Sequence, residues 1–278
     1  MHQQHTLREE LAFEGVGLHT GLPTRVRLLP QPVGAGLRFR LPGGITFPAH
    51  AEYVVETRRA TVLGVSGATV STVEHLLSAI LGMGLDNLLI DVDGPEIPVL
   101  DGSSKVFAEA IARVGYAAQA VPRVAFAVDV PHFWADGESL LIVLPAPEFR
   151  VRVAVDYAPP IGAQYFAGTI ESERYRREVA PARTFGFLHE VEALIAAGLA
   201  RGGSHDNALV FGPEGPLTPL RLKNEVVAHK VLDLVGDFAL LGAYPHCEVV
   251  AHKSGHKLHA LATQELRAGA RALRAAMP

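Results

Sequence analysis

The segment NEVVAHKVLDLVGDFALLG, residues 224–242, constrains the fold more than any other part of the chain. Read as one helix from Glu225 to Leu241, it carries Val226, Val227, Val231, Leu232, Leu234, Val235 and Phe238 in nearly every direction. A helix apolar all round is a buried helix. It needs apolar layers on several sides, and 49% of the chain is hydrophobic against 19% charged, enough to provide them. Yet His229, Asp233 and Asp237 recur at every fourth residue and form one narrow polar stripe. Burying two carboxylates and an imidazole is costly unless something pairs them. Two readings satisfy that condition. One is a His229–Asp233 pair across a helical turn, with Asp237 capping or solvated. The other is a bound cation, since imidazole and carboxylate are both ordinary zinc ligands.

A chain of 278 residues has room for about two domains. Short β-like runs at 11–18, 24–29, 37–41 and 45–55 are followed by a helix over 72–81, a strand over 86–93 and a helix over 103–114. The second half repeats this order with strands at 123–130, 139–144 and 149–157, the helix 225–241, a strand at 247–252 and a helix over 256–275. Both halves end in helix–strand–helix. The expectation is an α+β protein of two similarly built domains, 1–118 and 123–278, meeting near Tyr116–Pro122. The stretch 186–211 reads as an insert in the second, with a helix at 188–197, the turn-rich RGGSHDN and a strand at 208–211.

STVEHLLSA adds a second chemical feature. Ser71 followed by Glu74 has capping-box spacing, and on that reading Glu74 is only a partner of the N-cap amide. His75 lies in the first helical turn, where a lone histidine is more often packed than ligating. Together with His229 and Asp233, however, it completes three ligands, which leaves a fourth zinc position for water. Glu74 beside that water has the chemistry of a general base. Neither half holds the full set, so the site is expected between the domains.

Other patterns weigh less. His189-Glu190-Val191-Glu192-Ala193 lacks the second histidine of a zincin motif. His252, His256 and His259 cluster near the last helix, with Ser254 as the expected cap and His256 in the first turn. GVGLHTG, residues 15–21, reads as a strand ending in a tight turn. The net charge of −4 without a basic run argues against a nucleic-acid partner. The lone Cys247 excludes an internal disulfide framework and fits a reducing compartment. The N-terminal MHQQHTLREELAF has no apolar core of a signal peptide, and no run reaches the roughly 18 apolar residues of a spanning helix. A soluble, cytoplasmic protein is expected, which would meet any lipid substrate from the water side.

The motifs GVGLHTG, STVEHLLSAILGMGLDNLLIDVDGPEIPVLDGSS, ARTFGF, HKVLDLVGD and HKSGHKL, spread over positions 15–258, resemble those of the UDP-3-O-acyl-N-acetylglucosamine deacetylases, zinc enzymes of lipid A biosynthesis. The resemblance implies two β-α-α-β sandwich domains facing each other across the active site, with a small insert in each. It implies zinc on His75, His229 and Asp233, Glu74 as general base, and His256 as the group that stabilises the oxyanion and protonates the leaving amine. Asp237 would hold His256, and Thr184 would place its hydroxyl near the scissile carbonyl. Leu18 and Phe185 would form sugar and acyl-chain surface, and His19 a substrate contact. Lys230 and Lys253 would meet the diphosphate or sugar, and Tyr157 the uracil. The implied partner is an acylated UDP-amino sugar, bound by a monomer that touches the membrane surface transiently. Ala228, Tyr157 and the pair His259-Ala260 depart from the common family pattern, which bears on nucleotide affinity more than on the reaction. A zinc amidase for a related amino sugar and a non-catalytic glycolipid-binding protein are the competing functions.

Overall fold

Two sheets of the same strand order frame the molecule. The first is built from β1 (Leu11–Val16), β2 (Pro23–Pro30), β3 (Leu37–Leu41), β4 (Ile45–Pro48) and β5 (Leu88–Asp93) and runs β1-β2-β5-β3-β4. The second, from β6 (His132–Asp136), β7 (Ser139–Pro145), β8 (Arg150–Asp156), β9 (Ala163–Thr169) and β10 (Tyr244–His252), runs β6-β7-β10-β8-β9. In each, the last strand lies parallel to the third, and the other neighbours along the path are antiparallel. The computed structural model describes residues 3–276, with side chains through residue 270; Met1 and His2, where the stretch read for a targeting signal begins, lie outside the described residues.

Period-two alternation builds the inner faces. Val26 and Leu28 of β2 are buried between the outward Arg25 and Arg27, and Val151 and Val153 of β8 alternate with Arg150 and Arg152 in the same way. The helices are α1 (Glu74–Gly82), α2 (Lys105–Val114), α3 (Ser172–Glu178), α4 (Leu188–Ala196), α5 (Glu225–Phe238) and α6 (His256–Ala276). Helix α2 meets β1 through the edge-to-face pair Phe107–Phe13, 4.8 Å between ring centres. Helix α5 lies on β8 and β9, and α6 on β6 and β7. One apolar cluster runs through both halves. The mixed α+β architecture expected from the order of elements is the one observed. Among the described residues, no helix is long and apolar enough to cross a membrane.

Helices α1 and α5 pack against each other at the centre. Every residue of α1 is buried, and so is every residue of α5 except Lys230. Their approach depends on Gly236, because a Cβ there would fall 2.1 Å from the carbonyl oxygen of Glu74. Gly236→Ala is therefore expected to force the helices apart, at about 1–3 kcal/mol for overpacking. Urea denaturation checks this, and a midpoint equal to that of wild type would show that the contact yields freely.

Three local expectations need correction. Ser71 does not cap α1. Thr72 has a positive φ of 57°, Ser71 bridges to the 95–97 segment through its own N–H and C=O, and the helix starts at Glu74 with Val73 before it. The Glu74 carboxylate is thereby released from any capping-box role. Ser254 does not cap α6 either; the Gly255 carbonyl accepts from the N–H groups of Leu258 and His259, and the Ser254 hydroxyl bonds the His259 ring. The run read as one strand over 45–55 is broken by a 3-10 turn at Ala51–Tyr53, after which Val54–Glu56 joins Val62–Val65 and Ala68–Val70 in a small separate sheet. Tyr116–Pro122, where the two units are expected to meet, forms a strand paired with Gln3–Leu7.

Candidate active site

The first turn of α1 and the polar stripe of α5 meet face to face. His75 and His229 stand edge to face with ring centres 5.1 Å apart, and His229 Nε2 lies 3.4 Å from Asp233 Oδ1. Ligand atoms of His75, His229 and Asp233 all fall within 4.8 Å of one another, and all three residues are buried. The chemistry of this set fits a divalent cation. His229 Nδ1 sits 3.2 Å from the Ala182 carbonyl, which can only accept, so that nitrogen carries the proton and the Nε2 lone pair faces the cluster. Burial, reinforced by the neighbouring His229, pushes the His75 pKa down to about 3, and burial lowers that of His229 as well. Both rings are thus neutral, as metal ligands must be. Burial alone would raise the Asp233 carboxyl, but His229 and Lys230 outweigh it and hold it well below the usual carboxylate range. Lys230 Nζ donates to Asp233 Oδ2 at 2.6 Å.

Beside this cluster lies a second set. Glu74 Oε2 accepts from the Thr61 N–H at 3.1 Å, and Glu74 Oε1 is 3.8 Å from His256 Nε2. Burial raises the Glu74 pKa to about 7 against the opposing pull of His256. Burial disfavours a charged His256, yet Asp237, whose Oδ2 is 2.8 Å from His256 Nδ1, outweighs it and lifts that pKa to about 9. Asp237 also accepts from Thr61 Oγ1 at 2.6 Å through Oδ1, and its Oδ2 lies 2.8 Å from His259 Nδ1. His256, His259 and Asp237 also lie close enough to hold an ion, but their 2.8 Å contacts are those of hydrogen bonds between ring nitrogens and carboxylate.

The remaining candidates ring this centre at different depths. The segment carrying Thr184 and Phe185 is anchored by the buried Arg183–Glu225 pair at 2.8 Å, by the Thr184 N–H on the Gly102 carbonyl, and by the Thr184 carbonyl on the Leu209 N–H. Phe185 stands edge-on to His229 at 5.9 Å and to Tyr157 at 5.4 Å, which places Tyr157 behind Phe185. Leu18 is buried in the turn after β1. His19 belongs to the same turn, and its Nε2 is, among the described residues, the one buried side-chain nitrogen or oxygen with no hydrogen-bond partner. Lys253 is not drawn into the centre; its ammonium is held by Glu138 at 2.9 Å and Asp156 at 3.4 Å.

Two residues of the site escape a reading of the sequence. Thr61 sits in the sequence RRATV, residues 58–62, and carries no motif. His259 belongs to a visible histidine cluster, and its spacing of three from His256 on a helix was the available signal. Glu96 is a third buried anchor: its carboxylate accepts from the backbone N–H groups of His19 and Thr20 and from the hydroxyls of Thr20 and Thr72, and so holds the turn that carries Leu18 and His19.

Taken together, an α+β frame with a buried His–His–Asp cluster, a carboxyl of near-neutral pKa and a carboxylate-held imidazolium defines a hydrolase of the metal-assisted class. The sequence profile of the UDP-3-O-acyl N-acetylglycosamine deacetylases matches residues 4–268. The chain belongs to that family. It is 45% identical over 276 residues to the UDP-3-O-acyl-N-acetylglucosamine deacetylase of Nostoc sp., covering 96% of this chain and 99% of the relative. The enzymes of the same name from Syntrophotalea carbinolica and Myxococcus xanthus are 44% and 41% identical, over 96% and 93% of this chain and 88% and 84% of their own lengths.

Proposed function

We propose that this protein hydrolyses the N-acetyl group of UDP-3-O-acyl-N-acetylglucosamine, releasing acetate, as a step of lipid A biosynthesis. The observation that carries the reading is the pairing of Glu74 with the His75–His229–Asp233 cluster at the meeting of α1 and α5, in a chain whose relatives bear that enzyme's name. His75, His229 and Asp233 would hold zinc, which supplies a Lewis acid for the amide carbonyl and lowers the pKa of a water it binds. Glu74 takes a proton from the attacking water as its oxygen bonds to the carbonyl carbon. Thr184 and protonated His256 face the negative charge that develops on the carbonyl oxygen. As the C–N bond breaks, His256 Nε2 gives its proton to the leaving amine, and Asp237 keeps the ring charged and oriented until then. His19, Leu18, Phe185, Tyr157, Lys230 and Lys253 are assigned to the acylated sugar and its nucleotide. We assign residues 1–118 and 123–278 as the two units that share this cleft, in a cytoplasmic monomer that meets the membrane surface only transiently.

Acetate release from the UDP-linked substrate, measured with the metal content of protein purified without added metal, tests the reading. About one zinc per chain and acetate release that stops on chelation are expected; a metal-free protein with undiminished activity overturns it.

The pKa values set the pH dependence. Glu74 must be ionised, so activity rises as pH passes upward through its pKa; His256 must be protonated, so activity falls as pH passes upward through its own. With these near 7 and 9 the profile is bell-shaped. A bound cation favours carboxylate and disfavours imidazolium, so both limbs shift toward lower pH in the loaded protein. Asp237→Asn is expected to move the basic limb to lower pH and reduce the maximum. A basic limb that His256→Gln leaves in place assigns it to another group.

A further inference from the structure

We propose that His259 is a positioning residue for this reaction: it locks the Asp237 carboxylate in the orientation that meets His256. The inference rests on the deacetylation proposed above. The terminal torsion of an aspartate is broad, so the direction of its oxygens is set by the donors around it rather than by the side chain itself. Asp237 projects from α5, whereas its partner His256 opens α6, so a rotation of the carboxylate would break their 2.8 Å contact.

Three segments supply donors against that rotation. Thr61, far along the chain, takes Oδ1 at 2.6 Å, and His256 and His259 share Oδ2 at 2.8 Å each. The His259 ring is itself immobilised, being fully buried with Nε2 2.8 Å from Ser254 Oγ. A carboxylate only accepts, so Nδ1 carries the His259 proton, and Nε2 accepts from the Ser254 hydroxyl. Burial, which lowers the His259 pKa, agrees with a neutral ring in this tautomer. Ser254, His259, Asp237 and His256 therefore form one connected network: the Ser254 O–H donates to His259, the His259 N–H donates to Asp237, and the same carboxylate accepts from the N–H of His256, the ring that faces Glu74 at 3.8 Å.

A histidine that merely fills the core predicts lost stability and unchanged turnover in whatever folds. A positioning role predicts lost turnover that passes through Asp237. His259→Leu removes both bonds and is expected to lower kcat about tenfold, the lower end for partners one step from the chemistry, with KM within about twofold. The amide nitrogen of an asparagine falls near Nδ1 of the ring it replaces, and that of a glutamine near Nε2. His259→Asn is therefore expected to keep kcat within about threefold, and His259→Gln to fall with the leucine variant. In the double variant with Asp237→Asn, His259→Leu is expected to add no further loss, because the two act as one unit. Metal content and thermal midpoint of each variant are measured alongside.

Equal kcat for His259→Asn and His259→Gln, or losses that multiply in the double variant, overturn the proposal. Should His259→Leu fail to fold, the asparagine and glutamine variants carry the same comparison. An inactive wild-type protein overturns the deacetylase reading and this one with it. An active wild type with unchanged turnover in the folded variants overturns this one alone.

Discussion

His229→Ala is expected to release the metal and to reduce deacetylation by more than about 100-fold while the chain stays folded. The imidazole meets Asp233, His75 and the Ala182 carbonyl, and the apolar packing of α5 through Val226, Val227, Val231, Leu234 and Val235 does not depend on it. Removing the neutral ring leaves the Lys230 ammonium in place on Asp233, so the buried carboxylate stays paired without a metal. Metal analysis of the purified variant, with circular dichroism as the folding control, decides the matter. Full zinc content in the folded variant would falsify the ligand assignment.

Glu74→Gln is expected to lower turnover by at least about 100-fold and to leave the metal bound. Glutamine keeps the oxygen that accepts from the Thr61 N–H but has no basic site for a proton. The same substitution carries a stability signature. The folded carboxyl, raised by burial to about 7 from an ordinary 4.5, burdens the native state at pH above its folded pKa, and the burden vanishes as pH falls below the unfolded value. In metal-free protein at pH 8, Glu74→Gln should therefore melt no lower than wild type, and at pH 4 any gain should be gone. A lowered midpoint together with full activity would assign Glu74 a structural role instead.

The centre of this site is legible in sequence because its geometry is helical. The four-residue spacing of His229, Asp233 and Asp237 fixes their shared direction once α5 forms, and the apolar residues around them require burial. The repeated order of strands and helices foreshadows the two sheets with the same strand order. What escapes is decided by contacts between segments far apart. Thr61 reaches Asp237 across 176 positions, and no local pattern marks a threonine for that task. The capping-box spacing of Ser71 and Glu74 misleads because Thr72 turns through a left-handed conformation and Ser71 spends its backbone groups on the 95–97 segment. The local rule was sound, and a tertiary bridge overrode it. Lys253 shows the complementary case, a motif lysine whose ammonium is engaged by Glu138 and Asp156.

Helix α4 buries none of its nine residues. It rests by its edge on the short strands Phe185–Phe187 and Leu209–Gly212, and an ion pair from Glu190 reaches Arg59 of the first half at 3.6 Å. Leu188 and Ile195 face outward on it. Substitutions along this helix therefore carry almost none of the packing penalty that constrains α1 and α5. The molecule is divided in its tolerance: the residues assigned to the chemistry are cemented into an interior that resists change, while a neighbouring rim can drift. Such a rim is evolvable, and it is where a chain can change its surface while the buried centre stays as it is.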